Sequence, residues 1–168
     1  MKEFIIISGT QNSGKTTAAW VVYQRLLPYA THLQLYICGS LVSNHGEIVY
    51  KPIPYNDQPE DFKAILDLPG YKVAIISGGD DDELLEAEID SVYNDVDFIA
   101  ISLRTSTRPG SSRHMVITKY PKDYTREFFT PAFKHHLTHP MDIVNDKRLL
   151  GDKIVNYILV QTTYRDLL

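Results

Sequence analysis

The amino-acid sequence predicts an α/β fold, a three-layer α/β/α sandwich around a mostly parallel central sheet of about five strands. Short apolar runs, such as 73–76 and 98–103, suit strands that are buried on both faces. Segments with apolar residues at helical spacing alternate with these runs, and Gly, Pro, Asn and Asp lie between them. Strands that alternate with helices in this way are typical of a parallel sheet covered by helices.

The first third of the chain predicts three strands and a helix. Residues 4–7 form the first apolar run, and residues 15–27 carry apolar side chains at helical spacing until Pro28 removes a backbone donor. Residues 32–37 have the pattern of a second strand. A polar turn at 39–44 then precedes a short strand at 47–51, which Pro52 ends.

The rest of the chain predicts further strand and helix units. We expect a short helix over 57–66, closed by Pro69-Gly70, and then a buried strand at 73–76. A helix follows Asp80, Asp81 and Asp82, and residues 98–103 and 115–118 are expected to be the last two strands. Residues 124–133 are rich in aromatic side chains without a clear period, and 143–159 predicts a C-terminal helix despite Gly151.

Length, charge and cysteine content narrow the class of protein. The 168 residues suit a single domain, 1–168, with a proper core. The net charge of −4 argues against general nucleic-acid binding, which needs a basic surface. The single cysteine, Cys38, excludes an intramolecular disulfide, and no apolar stretch has the length of a membrane span. We therefore expect a cytoplasmic protein that does not enter the membrane.

The most specific motif follows the first apolar run and reads G-x-x-x-x-G-K-T. Glycines at its ends allow positive φ angles and close approach of the backbone to a ligand, so that successive N–H groups converge on phosphate oxygens. The start of the following helix adds further N–H groups and a positive dipole end. The predicted phosphate-binding residues are Gly9, Thr10, Gln11, Asn12, Ser13, Gly14, Lys15, Thr16 and Thr17.

On residues 4–27 the chain resembles the P-loop NTPase superfamily. The resemblance implies a single nucleotide-binding domain that takes a nucleoside triphosphate, ATP or GTP, together with Mg²⁺. It further implies that Lys15 reaches the β- and γ-phosphates and that the Thr16 hydroxyl is a metal ligand. The chain lacks the Asn/Thr-Lys-x-Asp string that signals guanine recognition, because Thr118-Lys119 is followed by an aspartate only at Asp123.

The acidic metal ligand expected at the end of a buried strand is displaced in this sequence. The run at 73–76 continues into Ser77-Gly78-Gly79, and the first acid is Asp80. Asp80 is our candidate for the metal and for catalysis, with the Ser77 hydroxyl at the usual position of the acid. The alternative is that Asp80 caps the helix that follows, although two glycines there also suit close approach to a ligand.

Three arginines follow the strand at 98–103 in a segment rich in Ser and Thr, which resembles a mobile lid: Arg104, Arg108 and Arg113. Arginines that close over a transferring phosphoryl group stabilise its transition state, and Arg104 is nearest to the strand end. We therefore place Arg104 with Lys15 and Asp80 among the catalytic candidates. The alternative for Arg108 and Arg113 is a solvated loop.

These features favour a small phosphotransferase that moves the γ-phosphoryl of ATP to a nucleotide or small-molecule acceptor. The alternative is a nucleotide-dependent adapter or slow NTPase whose loops signal to a protein partner. His135, His136 and His139 form the one histidine cluster, but neither a cysteine nor a clear carboxylate completes a metal site there.

Overall fold

A seven-stranded mixed sheet forms the centre of the protein in the computed structural model. The structure describes residues 2–9, 14–37, 40–43, 61–78, 82–104, 109–120, 124–129 and 140–166. The strands are β1 (Glu3–Gly9), β2 (His32–Ile37), β3 (Ser40–Ser43), β4 (Phe62–Leu68), β5 (Tyr71–Ile76), β6 (Phe98–Arg104) and β7 (Tyr124–Phe129). The helices are α1 (Lys15–Leu26), α2 (Asp82–Val92), α3 (Ser112–Lys119) and α4 (Pro140–Asp166), and a 3₁₀ turn, Leu27–Tyr29, follows α1.

The sheet combines a parallel half and an antiparallel half, in the order β3-β2-β4-β5-β6-β1-β7. Strands β5, β6, β1 and β7 pair in parallel, whereas β4 pairs antiparallel with both β5 and β2, and β3 pairs antiparallel with β2. The α/β class is confirmed. The predicted sheet of about five mostly parallel strands is wrong, because a tight β4–β5 turn at Pro69-Gly70 reverses the chain.

Helices cover both faces of the sheet. Side chains of β1 alternate between two hydrophobic clusters, with Ile5 and Ile7 in one and Phe4 and Ile6 in the other. The first cluster includes buried residues of α1 and α4, and the second includes buried residues of α2 and α3. Every residue of β1 is buried, which explains its continuous apolar run.

Three local predictions are wrong: the turn at 39–44, the helix at 57–66 and the strand at 115–118. Residues 115–118 lie in α3, because the Ser111 hydroxyl accepts a hydrogen bond from the His114 amide and starts a helix there. Residues 62–66 belong to β4, where alternate side chains are buried as in a strand. The polar turn expected at 39–44 contains strand β3, and the strand expected at 47–51 lies outside the described residues.

Helix α4 lies beside α1 and runs in the same direction. Gly151 of α4 faces the middle of α1, where a Cβ on Gly151 would lie 2.6 Å from Val21 Cβ, closer still to Val21 Cγ1, and 3.3 Å from the Ala18 carbonyl oxygen. Further along, Arg25 Nε donates to Asp152 Oδ1 at 3.1 Å. The glycine therefore allows the two helix backbones to approach closely.

Helices α2 and α3 are joined at their exposed sides by a small polar cluster. Lys119 Nζ donates to Asp90 Oδ2 at 2.6 Å and to Glu86 Oε1 at 2.5 Å, and Tyr120 Oη donates to Asp90 Oδ1 at 2.6 Å. The hydrogen bonds from Lys119 and Tyr120 lower the pKa of Asp90, and the bond from Lys119 has the larger effect. The cluster lies on the face opposite α1.

Candidate functional site

The start of α1 has the backbone geometry that the motif predicts. Gly14 is the residue before the helix and lies in the left-handed region, with φ 92° and ψ 22°. Among the residues that the structure describes, no side chain caps this end of the helix, and the first turn carries no acidic residue. Its amide groups and the dipole of α1 therefore favour an anion. Gly9, in contrast, keeps the extended backbone of β1, so that the positive φ expected there is wrong.

Only part of the motif lies among the described residues. Gly9, Gly14, Lys15, Thr16 and Thr17 are described, and residues 10–13, which include Thr10, Gln11, Asn12 and Ser13, lie outside. Lys15, Thr16 and Thr17 are half-buried in the first turn of α1. The Ser102 hydroxyl of β6 donates to the Lys15 carbonyl at 3.5 Å, which links the helix start to the neighbouring strand.

Arg104 lies directly beside the start of the motif. In the parallel pairing of β1 and β6, Gly9 is the register partner of Arg104. After β1 the chain continues into α1 on one face of the sheet, and after β6 it continues to α3 on the other face. When neighbouring strands lead to opposite faces in this way, a crevice opens at their carboxyl ends. Arg104 is exposed at this crevice. The strand register therefore places Arg104 beside Gly9, the first residue of the motif.

The acidic neighbour of Thr16 is Asp61, which the sequence analysis missed. Thr16 Oγ1 donates to Asp61 Oδ1 at 3.3 Å. Asp61 immediately precedes β4, and the antiparallel pairing of β4 with β5 brings the start of β4 to the edge where β5 ends. A hydroxyl and a carboxylate are both hard oxygen ligands of the kind that Mg²⁺ takes. Asp80, the predicted metal ligand, lies outside the described residues.

Ser77 has a structural role that fixes the position of Asp61. Its hydroxyl accepts from the Phe62 amide at 2.8 Å and donates to the Phe62 carbonyl at 3.3 Å, and the residue is buried. The expectation that this hydroxyl takes the place of the missing acid is therefore corrected, because it is engaged by the backbone next to Asp61. Gly78 also adjoins Asp61, and a Cβ at position 78 would make an ordinary contact of 3.4 Å with the Asp61 side chain.

Aromatic packing holds α1 against the start of β4. Trp20, one turn after Thr16, stacks on Phe62 with ring centroids 3.9 Å apart, and Tyr23 meets Phe62 edge-on at 5.9 Å. Burial raises the pKa of Tyr23 to about 12, so its hydroxyl stays neutral at physiological pH. Because Phe62 adjoins Asp61 and Trp20 follows Thr16, this cluster keeps the hydroxyl and the carboxylate together.

A second lysine, Lys147 of α4, lies at the start of α1. A Cβ built on Gly14 would overlap the end of the Lys147 side chain and would lie 2.5 Å from Nζ. Burial lowers the pKa of Lys147. The lysine is distant in sequence from the motif, and it reaches Gly14 only because α4 packs along α1.

Arg113 makes structural contacts with the sheet and is not part of a mobile lid. It lies near the start of α3 and is 9% exposed, and its Nη1 donates to Ser8 Oγ at 3.1 Å. Its other guanidinium nitrogen pairs with Glu127 of β7. The lid prediction is therefore wrong for Arg113, since these partners fix the end of β1. Arg108 lies outside the described residues.

A cavity of about 320 Å³ lies at the opposite edge of the sheet from Gly14. Its lining includes His32 at the start of β2, Lys72 near the start of β5, and Val96, which precedes β6. Within the described part of the chain, no group of three or more His, Cys, Asp or Glu side chains has the geometry of a metal site. His135, His136 and His139 lie outside it.

Searches for relatives add no assignment to this geometry. No protein-family model, curated protein or solved structure matches the chain. Among the described residues, no helix combines the length and apolar character that crossing a membrane needs.

Proposed function

We propose that this chain binds a Mg-nucleoside triphosphate where β1 meets α1 and transfers the γ-phosphoryl group to a small acceptor. The observation that carries the proposal is the left-handed Gly14 between a fully buried strand and a helix that begins with Lys15 and Thr16. Helices on both faces of the sheet, in the three-layer arrangement that the P-loop NTPase resemblance implies, also support it. A cytoplasmic location is part of the same proposal.

The residues around the start of α1 have different proposed roles in binding the nucleotide and the metal ion. The amide groups of Gly14 and of the first turn of α1 hold phosphate oxygens, and Lys15 neutralises charge at the β- and γ-phosphates. Thr16 and Asp61 fit a Mg²⁺ ion, because their oxygens lie 3.3 Å apart and are of the hard type. When bound, the ion neutralises charge on the phosphate oxygens.

Arg104 is the residue proposed to act on the transition state. Its backbone pairs with Gly9, and its side chain is exposed at the crevice beyond β6. A guanidinium that reaches the transferring group contacts oxygens whose charge changes during transfer, so that its stabilisation is greatest in the transition state. Acceptor specificity belongs to the loops around this crevice.

A slow NTPase or adapter is the second candidate, and one observation favours it. Ser77 stands at the end of β5, where the superfamily usually has an acid, and its hydroxyl is already bonded to Phe62. A protein of this second kind hydrolyses the nucleotide slowly, and one of its loops changes conformation when the γ-phosphate is lost. It needs no small acceptor.

Titration calorimetry with MgATP and MgGTP tests nucleotide binding and reads the base preference. We expect Lys15→Ala to weaken triphosphate binding by about tenfold or more, as loss of a charge-assisted hydrogen bond does. Lys153→Ala is the matched control, because Lys153 is an exposed lysine on α4. Equal triphosphate affinity in the wild type and Lys15→Ala would contradict the proposal.

An acceptor screen that records nucleoside diphosphate release separates the two candidates. A phosphotransferase releases diphosphate rapidly only with its acceptor and phosphorylates that acceptor. A slow NTPase releases it at one low rate whatever small molecule is added.

A further inference from the structure

We propose that Lys147 is a second phosphate-binding cation, which contacts the α- and β-phosphates while Lys15 serves the β- and γ-phosphates. This inference rests on the proposed function, because it concerns the same nucleotide. The geometric basis is the contact between the end of the Lys147 side chain and Gly14. The ammonium thus lies against the backbone on which the phosphates are proposed to rest.

The packing of α4 on α1 places Lys147 there. Gly151 follows Lys147 by four positions, so that both residues lie on the same face of α4. Gly151 is buried against Ala18 and Val21 of α1, with no room for a Cβ. One turn earlier on each helix, the same close approach brings Lys147 to Gly14. A lysine stem at this point is long enough to cover the glycine and present its ammonium beyond it.

The electrostatics of Lys147 favour an anion beside it. The side chain is half-buried, and burial lowers its pKa, which means that its charged form is disfavoured without a partner. In the described part of the chain, no carboxylate lies within ion-pair distance of Lys147, whereas Asp152 on the same helix pairs with Arg25. A phosphate group at Gly14 would supply the missing negative charge.

The position of the contact determines which phosphates Lys147 meets. In a loop of this type the backbone amides hold the α- and β-phosphates, and the lysine at position 15 extends to the β- and γ-phosphates. The end of the Lys147 side chain lies against Gly14, which is part of the backbone proposed to hold these two phosphates. It therefore meets phosphates that a diphosphate and a triphosphate nucleotide share.

Calorimetric titration of MgADP and MgATP into three lysine variants tests this assignment. Lys147→Met keeps most of the stem and removes the charge, and we expect it to weaken both nucleotides by a similar factor of about ten or more. Lys15→Met is expected to weaken MgATP more than MgADP. Lys153→Met removes an exposed charge from the same helix and is expected to leave both affinities unchanged. Lys147→Arg keeps the charge and is expected to retain more affinity than Lys147→Met.

The outcomes distinguish this inference from the proposed function. If Lys15→Met weakens binding but Lys147→Met binds both nucleotides as the wild type does, or more tightly, only the assignment of Lys147 is overturned. If the wild type binds neither nucleotide, both proposals fail. Urea unfolding followed by Trp20 fluorescence verifies that each variant is folded. Should Lys147→Met not fold, Lys147→Gln replaces it with the same expected loss for both nucleotides.

Discussion

Replacing Gly151 by alanine has two opposing effects on the free energy of unfolding, a gain in helix propensity and a loss from overpacking. The close contact between α1 and α4 determines which effect is larger. In an exposed helix interior, Gly→Ala stabilises a protein by about 0.5–1 kcal/mol. At Gly151 the new Cβ would lie 2.6 Å from Val21 Cβ and closer to Val21 Cγ1. The optimum for two carbon atoms is about 3.5–4.0 Å, so that the helices must separate by about 1 Å.

That separation outweighs the gain in helix propensity. A gap of about 1 Å forfeits up to half of the van der Waals attraction across the contact. Val21 is β-branched and cannot swing aside, so the overpacking cost falls in the upper part of the range of about 1–3 kcal/mol. After the propensity gain is subtracted, we expect Gly151→Ala to lower the free energy of unfolding by about 1–2 kcal/mol.

Urea unfolding monitored by tryptophan fluorescence measures this change. Trp20 is the only tryptophan, and it is buried against Phe62 between α1 and the sheet. Asn156→Ala is the control, because Asn156 is exposed on α4 and its replacement should stabilise by a few tenths to about 0.7 kcal/mol. A Gly151→Ala protein that gains stability as Asn156→Ala does would refute the close packing of α4 on α1.

Four further substitutions test the candidate site and the contacts that stabilise the fold around it. Arg104→Ala should lower kcat by about 10²-fold or more with little change in nucleotide affinity, measured by steady-state kinetics and calorimetry; a loss confined to affinity would make Arg104 a ground-state contact. Asp61→Asn should raise the Mg²⁺ concentration needed for tight triphosphate binding by about tenfold, and an unchanged Mg²⁺ requirement would remove Asp61 from the metal site. Arg113→Met should lower the free energy of unfolding by about 2–4 kcal/mol, because it removes a hydrogen bond to the buried Ser8 hydroxyl and the ion pair with the partly buried Glu127 carboxylate; a loss below about 0.5 kcal/mol would contradict that role. The pKa of Asp90 is lowered in the folded state, so its stabilisation is present above the ordinary aspartate pKa and is lost as pH falls through the folded value. Asp90→Asn should therefore lower the urea midpoint at neutral pH but not in strong acid, and an equal deficit at both pH values would contradict this linkage.

Three of the four parallel strands could be predicted from their apolar runs, whereas β7, which has polar residues at 125–127, could not. β1, β5 and β6 are buried on both faces, and their runs are too short for helices. The antiparallel half was missed at β4, whose residues 62–66 also fit a helical spacing. Its period-2 burial and the turn at Gly70, where φ is +83°, indicate a hairpin instead. For α3, the signal that was overlooked is the capping serine at position 111.

The site was predictable only as far as it is local in sequence. The motif places Gly14, Lys15 and Thr16 on consecutive residues, and their chemistry follows from the order of residue types. Asp61 and Lys147 reach the same place through strand pairing and helix packing. No short pattern marks either residue, because their role depends on contacts between elements far apart in the chain.

A crystal structure of the protein with Mg²⁺ and a non-hydrolysable ATP analogue would locate the phosphates and the metal ion directly. We expect phosphate oxygens on the amides that begin at Gly14, with Lys15 Nζ about 2.7–3.2 Å from a β- or γ-phosphate oxygen. We also expect the metal ion in contact with the Thr16 hydroxyl. A triphosphate bound elsewhere, such as in the cavity beside His32 and Lys72 at the opposite edge of the sheet, would contradict the proposed site.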